Sequence, residues 1–161
     1  MKKLEDLFEH QIKDLYSAES QLMDALPKMV EHAHDDKLRQ AFQDHLKETE
    51  HQKERLLEVC KSLNIEPTGE TCNAMKGLIS EAEGFLKEDA SSEVRDAGLI
   101  AEAQRVEHYE ISGYGTAVKY AKQLGHTDAA SLLLATLDEE YNADQKLDKM
   151  TQSRINQKAM S

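Results

Sequence analysis

The chain has 161 residues, of which 39% are hydrophobic and 32% are charged, and this composition suits one globular domain with its own core. Twenty basic residues oppose 31 acidic ones, and the net charge of −11 disfavours binding to nucleic acid through phosphate contacts. Glycine, proline and aromatic residues are few, while Ala, Leu, Glu and Lys are abundant. These proportions favour helices and exclude all-β and Rossmann-type folds.

The N-terminal stretch MKKLEDLFEHQIKDLY carries charged residues at short intervals. A secretory signal needs a continuous apolar run, and no later segment approaches the apolar length of a membrane span. We therefore expect a cytoplasmic protein with no membrane partner. The two cysteines, Cys60 and Cys72, do not form a C-x-x-C arrangement, and we expect two free thiols in a reducing compartment.

Apolar residues at helical spacing predict a first helix over about residues 3–33. Pro27 lies inside this helix and removes a backbone hydrogen bond, so a kink or local break is expected there. Asp35 and Asp36 provide an N-cap for a second helix that continues to about Leu63. The short link between the two helices predicts that they are antiparallel.

Pro67 and Gly69 interrupt the helical pattern, and residues 74–87 resume it as a short connecting helix. Ser92 opens a third long helix, which ends at Gly125, a residue type common just beyond helix C-termini. A fourth long helix follows the short link after this glycine.

Thr127 and Asp128 cap the fourth long helix, which continues through Leu147. Residues 1–150 are therefore expected to form one bundle, and residues 151–161, which lose the apolar pattern, a frayed tail. Only the middle connection, of roughly 28 residues, is long enough to return along the bundle at about 1.5 Å per helical residue. The order predicts an all-α four-helix bundle with one long crossover, which carries an additional short helix and leaves the second and third long helices parallel.

Several acidic residues lie on the apolar faces of these helices. At about 100° per residue, Glu19 falls between Leu15 and Leu22, and His45 falls within the apolar face of the second helix. The same spacing places a carboxylate pair on the inner side of each of the last two long helices. The inward set is Glu19, His45, Glu48 (at the edge of its face), Glu107, Glu110, Glu140 and Asp144.

Six carboxylates and one imidazole near the middle of a bundle would repel one another and would be costly to bury unless protonated or paired with cations. No inward Lys or Arg is expected. A pair of divalent metal ions would neutralise much of this charge, and an oxygen-rich site with an imidazole suits iron first and manganese second. Each acid taken singly could instead be a boundary residue whose carboxylate reaches water.

Other candidates have less support. His51 completes a Glu48-x-x-His51 spacing found in metal-binding bundles, but its helical phase points away from the apolar face, so His45 is the preferred ligand. His108 is expected to be exposed, and Tyr114 to be a core aromatic residue. The sequence contains no G-x-S-x-G, phosphate-binding glycine loop or H-E-x-x-H.

Five stretches of the sequence are similar to one known family. They are LYSAESQL (15–22), HLKET (45–49), AMKGLISEA (74–82), VRDAGLIAEAQRVEHYEISGYGT (94–116) and LLATLDEEYNADQKL (133–147). They resemble the YciF-like bacterial stress proteins, and the similarity spans nearly the whole chain. The run VEHYE followed by YGT is the most specific of these features.

The resemblance implies a ferritin-like bundle with a rubrerythrin-like dinuclear metal site, in a protein that is a homodimer. It makes the inward residues candidate ligands, with Glu48 and Glu140 as bridging carboxylates. Asp144 stands where ferritins and rubrerythrins typically place a histidine, so an acid would replace the imidazole. Two cysteines cannot build the four-cysteine electron-transfer module of classical rubrerythrins, and redox activity would need an external electron donor.

Three functions follow as alternatives. The first is an oxidoreductase that reacts with peroxide or dioxygen at a dinuclear iron or manganese centre. The second is a structural or interaction protein of the stress response whose metal site is vestigial or stabilising. The third, iron storage, would need a closed shell, which no feature of the sequence requires. The sequence leaves open whether the protein is an enzyme.

Overall fold

The computed structural model describes residues 1–160, apart from the side chain of Ser153. Every regular element in that range is helical. The main helices are α1 (Leu4–His32), α2 (Asp36–Leu63), α3 (Asn73–Phe85), α4 (Ser92–Gln123) and α5 (Thr127–Met150). The prediction of an all-α bundle with a short helix in its crossover is confirmed.

Polar caps and one glycine set the limits of the long helices. The Asp35 carboxylate accepts hydrogen bonds from the N–H groups of Lys37 and Leu38 at the start of α2, as predicted. Gly125 follows α4 with a φ of +77°, a conformation that favours glycine. The start of α5 differs from the prediction, because its N-cap is His126 and no side chain caps it.

The expected break at Pro27 does not occur, because α1 is one continuous helix from Leu4 to His32. Pro27 itself is exposed. Leu22, Leu26 and Met29 are buried on the opposite side and anchor α1 to the core on both sides of the proline. This packing outweighs the local cost of the missing backbone hydrogen bond.

Contacts at the two ends of the bundle establish its topology. The Asp96 carboxylate, near the start of α4, accepts hydrogen bonds from the N–H groups of His34 and Asp35 in the α1–α2 link. At the other end, His126 of the α4–α5 link packs on Phe8 near the start of α1, with ring centroids 5.9 Å apart. Helices α2 and α4 are therefore parallel. The order of the long helices around the bundle is α1, α2, α5, α4.

Residues 151–160 are packed, where the sequence predicts a frayed tail. A short π-helix (Thr151–Ile155) and α6 (Asn156–Lys158) continue from α5. Ile155 is buried in the core, and Arg154 and Lys158 both pair with the Asp35 carboxylate. One apolar side chain and two cations are sufficient to dock this segment, although they form no periodic pattern that sequence reasoning could detect.

The bundle has two apolar cores with a polar layer between them. Leu22, Phe42 and Leu147 belong to the core near the α1–α2 link, whereas Leu15 and Leu56 belong to the opposite core. We call the buried polar and charged residues between these cores the polar layer; they are Glu19, His45, Thr49, Gln52, Glu107, Glu110, Thr136 and Glu140. None of the described helices is both long enough and apolar enough to span a membrane.

Candidate metal centre

Four buried side chains of the polar layer converge between α2, α4 and α5. His45, Glu107, Glu110 and Glu140 each offer one ligand atom, and these four atoms lie within 4.8 Å of one another. Glu107 and Glu110 reach the same point because residues three apart lie on one face of a helix. The four side chains, which we call the core ligand set, are between 0% and 6% exposed.

Few hydrogen-bond donors reach the carboxylate oxygens of the core ligand set. No N–H or hydroxyl group of the described residues donates to either carboxylate oxygen of Glu110 or of Glu140, and the same holds for Oε2 of Glu107. The groups next to these oxygens are other carboxyls, Glu19 beside Glu110 and Glu107 beside Glu140. The Nε2 atom of His45 lies 3.3 Å from Oε1 of Glu107 but does not form a hydrogen bond with it. Buried polar atoms in folded proteins normally have partners, so these unpaired oxygens require a different explanation.

Burial controls the protonation of these carboxyl groups. It raises the pKa of Glu110 well above its ordinary value, and the neighbouring Glu19 and Glu140 carboxylates raise it further. The pKa of Glu107 is raised for the same reason, first by burial and then by Glu140. Without a cation, the layer favours protonated acids; with one, it offers several negative ligands in a small volume.

Glu19 of α1 lies beside the core ligand set. Its side chain is fully buried, and the hydroxyl of Tyr114 donates a short hydrogen bond to Oε1. Oε2 has no partner. The pKa of Glu19 is raised well above its ordinary value by burial and then by Glu140, which places these two carboxyl groups in electrostatic contact. One oxygen of Glu19 is therefore fixed by Tyr114, and the other is available to a cation.

Glu48 lies at the edge of the layer, as its helical phase predicts, with 32% of its side chain exposed. Its Oε2 lies 3.6 Å from Nδ1 of His45, and its Oε1 lies 4.0 Å from Nζ of Lys146. The His45 ring lowers the pKa of Glu48 despite the opposing effect of burial. Its lowered pKa keeps Glu48 ionised next to the core ligand set.

Asp144 does not join the core ligand set, although the sequence predicts it to point inward. It is half-buried, and its Oδ1 lies 3.2 Å from Nε2 of His108 and accepts a hydrogen bond from the Gln104 amide at 3.1 Å. His108 and Gln104 of α4 therefore engage the Asp144 carboxylate outside the core ligand set.

The two alternative histidines occupy different environments. His45 is buried in the polar layer, and His51 is exposed. His108 is also exposed, at 69%, as its phase predicts. Six of the seven predicted ligands therefore lie in the polar layer or at its edge; they are the core ligand set, Glu19 and Glu48. The seventh, Asp144, lies at the rim.

Sequence reasoning missed a cation at the edge of the layer. Arg55 forms a two-pronged ion pair with Glu139, with both N···O distances at 2.7 Å, and also donates to the Thr136 hydroxyl. The expectation that no basic side chain faces inward is therefore wrong at this position. Arg55 is only 26% exposed because its long side chain reaches the interior from the edge of the apolar face. Both Glu139 oxygens are occupied by this pair, so Arg55 does not neutralise the core ligand set.

A second missed feature joins α1, α3 and α4. The Tyr109 hydroxyl donates a short hydrogen bond to Asp14, and the Cys72 sulfur lies 2.9 Å from the same hydroxyl. Both cysteines are free, as predicted, and both are buried. Burial raises the pKa of the Cys72 thiol, so this group is a packed thiol with low reactivity.

Comparisons with known proteins agree with the helical bundle. Residues 3–160 match a family described as a domain of unknown function, DUF892. The chain belongs to this family. It is 48% identical over 160 residues to Protein YciF of Escherichia coli K12, covering 99% of this chain and 96% of that protein. The resemblance to the YciF-like proteins is confirmed.

Solved structures of DUF892-like proteins have the same fold. The crystal structure of the E. coli stress protein YciF matches with a TM-score of 0.93 and 47% identity, over 97% of this chain and 99% of that one. The YcfI protein of Rhodopseudomonas palustris, for which a structural role is suggested, matches with a TM-score of 0.89 and 46% identity, over 91% and 94% of the two chains. A Xanthomonas campestris protein at 18% identity and a TM-score of 0.77 shares the fold.

Proposed function

We propose that the polar layer binds a pair of divalent metal ions, iron first and manganese second. The observation that carries this proposal is the set of unpaired oxygens on Glu110 and Glu140, which are buried and have no hydrogen-bond donor. Several carboxylates with one imidazole form the donor set that iron and manganese prefer. Buried acids without donors are costly in a finished core, and bound cations remove that cost.

The proposed ligands divide by position. The core ligand set holds the ions, and Glu140 is the bridging candidate because it faces both Glu107 and Glu19. Glu19, oriented by Tyr114, offers its free oxygen from α1. Glu48 and Asp144 are proposed as ligands or supports that approach from the rim.

We extend the proposal to a rubrerythrin-like oxidoreductase that reacts with hydrogen peroxide or dioxygen. The metal pair would supply the electron-transfer chemistry. The chain holds negative ligands in a water-poor layer between two apolar cores. Reduction of hydrogen peroxide to two water molecules consumes two electrons and two protons, and the electrons must come from an external donor because the two cysteines cannot hold a rubredoxin-type centre. The stress-protein name of the E. coli relative agrees with this role.

A second candidate is a structural or interaction protein of the stress response, in which the metal only stabilises the bundle. The position of Asp144 favours it, because a proposed ligand is held by His108 and Gln104 instead. The structural role suggested for the R. palustris relative agrees with it. Iron storage has no such observation in its favour. With either candidate we propose a cytoplasmic homodimer, for which sedimentation at micromolar concentration should give twice the mass of one chain.

Elemental analysis tests the metal proposal. Protein expressed with iron and manganese supplied should retain close to two ions per chain. Glu107→Gln should lose most of the metal, whereas the control Glu81→Gln, an exposed glutamate of α3, should retain it. Retention of the same metal content by Glu107→Gln and wild type would overturn the proposed site.

A separate assay distinguishes the two candidate functions. Hydrogen peroxide consumption by the metal-loaded protein is measured with a reductant present and compared with Glu140→Gln and with free metal. The oxidoreductase proposal expects a rate well above both references. A rate equal to that of free metal, in protein that retains two ions, would favour the structural role.

A further inference from the structure

An apolar cavity adjoins the candidate metal centre. It lies among α1, α2, α4 and α5, and its walls include Leu22, Leu26, Phe42 and Val106. Its inner end is formed by His45 and Glu107, which belong to the core ligand set. A molecule in this cavity would therefore lie directly against the proposed metal ligands.

The opening of the cavity is formed by its exposed wall residues. Ala41 and Glu48 are half-buried on α2, and Lys146 is exposed on α5, while the remaining wall residues are buried or nearly so. Glu48 and Lys146 face each other at 4.0 Å. The cavity therefore opens between α2 and α5, beside a weak ion pair that a small side-chain movement can separate.

The size of the cavity limits its occupant to a few atoms. The space available to the centre of a water-sized molecule is about 30 Å³, whereas about 10–15 Å³ is needed for one water. This space accepts a molecule of two or three heavy atoms. A nucleotide, a sugar or a fatty acid would not fit.

The chemistry of the walls selects an uncharged, apolar occupant. Most of the wall is apolar, and its polar groups lie at the two ends, with His45 and Glu107 inside and Glu48 and Lys146 at the opening. An ion would lose its hydration along the apolar wall, and a polar molecule would lose hydrogen bonds there that Leu, Phe and Val side chains cannot replace. An anion would also meet Glu107, and a single exposed lysine at the opening does not offset this repulsion. A small apolar molecule has no such losses.

We infer that this cavity is the entry and binding site for dioxygen. The binding claim concerns the chain alone, while the role of dioxygen as a substrate rests on the function proposed above.

Paramagnetic relaxation by dissolved dioxygen tests the inference on metal-free protein. Methyl protons near a site that dioxygen occupies relax faster under raised dioxygen pressure. We expect the enhancement at the methyl groups of Leu22 and Leu26 to exceed that at Leu56 and Leu133 several-fold. All four leucines are buried, and the last two belong to the opposite core. Equal enhancement at the four leucines would overturn the inference.

Two variants remove the cavity without touching a proposed ligand. Ala41→Leu narrows the opening from a half-buried position, and Ala143→Val reduces the interior if the first variant is unstable. Each should lower the Leu22 and Leu26 enhancement to the level of Leu56. The control Ala135→Leu, at an exposed position of α5, should leave it unchanged. Enhancement that survives in both cavity variants would contradict the inference.

Manganese binding by the same variants separates this inference from the proposed function. Ala41→Leu should bind manganese as wild type does, because it removes no ligand. If manganese binds and dioxygen does not enrich at the cavity, the metal proposal stands and the cavity inference fails. If dioxygen enriches and no metal binds, the cavity is established as a gas site and its catalytic role fails.

Discussion

Asp96 and Glu110 lie fourteen residues apart on α4, and both are buried, but their surroundings differ completely. Each Asp96 oxygen accepts a backbone N–H, from His34 at 2.7 Å and from Asp35 at 2.8 Å. No N–H or hydroxyl group of the described residues donates to either Glu110 oxygen, and the group beside them is the Glu19 carboxyl. Asp96 is thus held by donors of the chain, whereas Glu110 is buried without one.

Glu139 is an intermediate case in the same part of the bundle. It belongs to α5, next to Glu140, and both its oxygens are held by the Arg55 guanidinium. Two consecutive glutamates thus have opposite environments, one neutralised by the chain and the other unpaired. The chain places a basic side chain, Arg55, against Glu139 but not in an ion pair with the adjacent Glu140.

Removing the fully bonded carboxylate should have the largest effect on stability. Asp96→Ala leaves two backbone N–H groups in the α1–α2 link without acceptors and should lower the free energy of unfolding by about 3 kcal/mol. Urea denaturation measures this change. The control Asp138→Ala, at an exposed position of α5, should change it by less than about 0.5 kcal/mol. Similar losses in both variants would show that the Asp96 hydrogen bonds contribute little.

The metal-free protein should become less stable as the pH rises. The raised pKa of Glu110 means that the folded state binds more protons than the unfolded state above the ordinary glutamate pKa of 4.5. The contribution is therefore most favourable below this value and is lost as pH rises toward the folded pKa. Between pH 5.5 and 8, the free energy of unfolding should fall more for wild type than for Glu110→Gln.

Denaturation in the presence of a chelator measures this difference between the two proteins. The control Glu81→Gln, which changes an exposed glutamate, should follow the wild-type pH dependence. Parallel curves for wild type and Glu110→Gln would mean that the buried acids do not titrate abnormally.

The Arg55–Glu139 pair should show moderate coupling. A double-mutant cycle with Arg55→Gln and Glu139→Gln isolates their interaction, and we expect a coupling free energy of about 1 kcal/mol because the pair is bidentate and about a quarter exposed. Each single variant should leave the metal content unchanged, since neither residue belongs to the core ligand set. A metal loss in Glu139→Gln would show that the pair takes part in the site.

The smallest effect is expected at the alternative histidine. His51→Ala removes an exposed side chain and should change neither metal content nor stability beyond about 0.5 kcal/mol. His45→Ala, six residues away and buried, should lower manganese affinity at least tenfold in a direct titration. The reverse order would assign the imidazole ligand to His51.

Helical periodicity was sufficient to predict the bundle, the crossover and the inward side chains of Glu19 and Glu107. Both follow from local rules, because a residue's phase on a helix decides whether it faces the core. The same reasoning selected His45 over His51. The resemblance to a family agreed with these positions without adding to the geometry.

The misses have a common physical cause, which is the reach of side chains and the context of single residues. Arg55 reaches inward from the edge of its apolar face, while the Asp144 carboxylate is engaged by His108 and Gln104. The docking of residues 151–160 depends on Ile155 and on two cations, Arg154 and Lys158. Both cations contact Asp35, which lies at least 119 positions earlier in the chain. Periodicity contains no information about such contacts.

We propose that the buried carboxylates bind cations, and one measurement tests this directly. The free energies of unfolding of wild type and Glu110→Gln are compared at pH 7.5, first with a chelator and then with manganese at about 100 times its Kd, where binding adds about 2.7 kcal/mol to wild type. We expect the order of the two stabilities to reverse: the variant is more stable than wild type with the chelator and less stable with manganese. The same order in both conditions would contradict it.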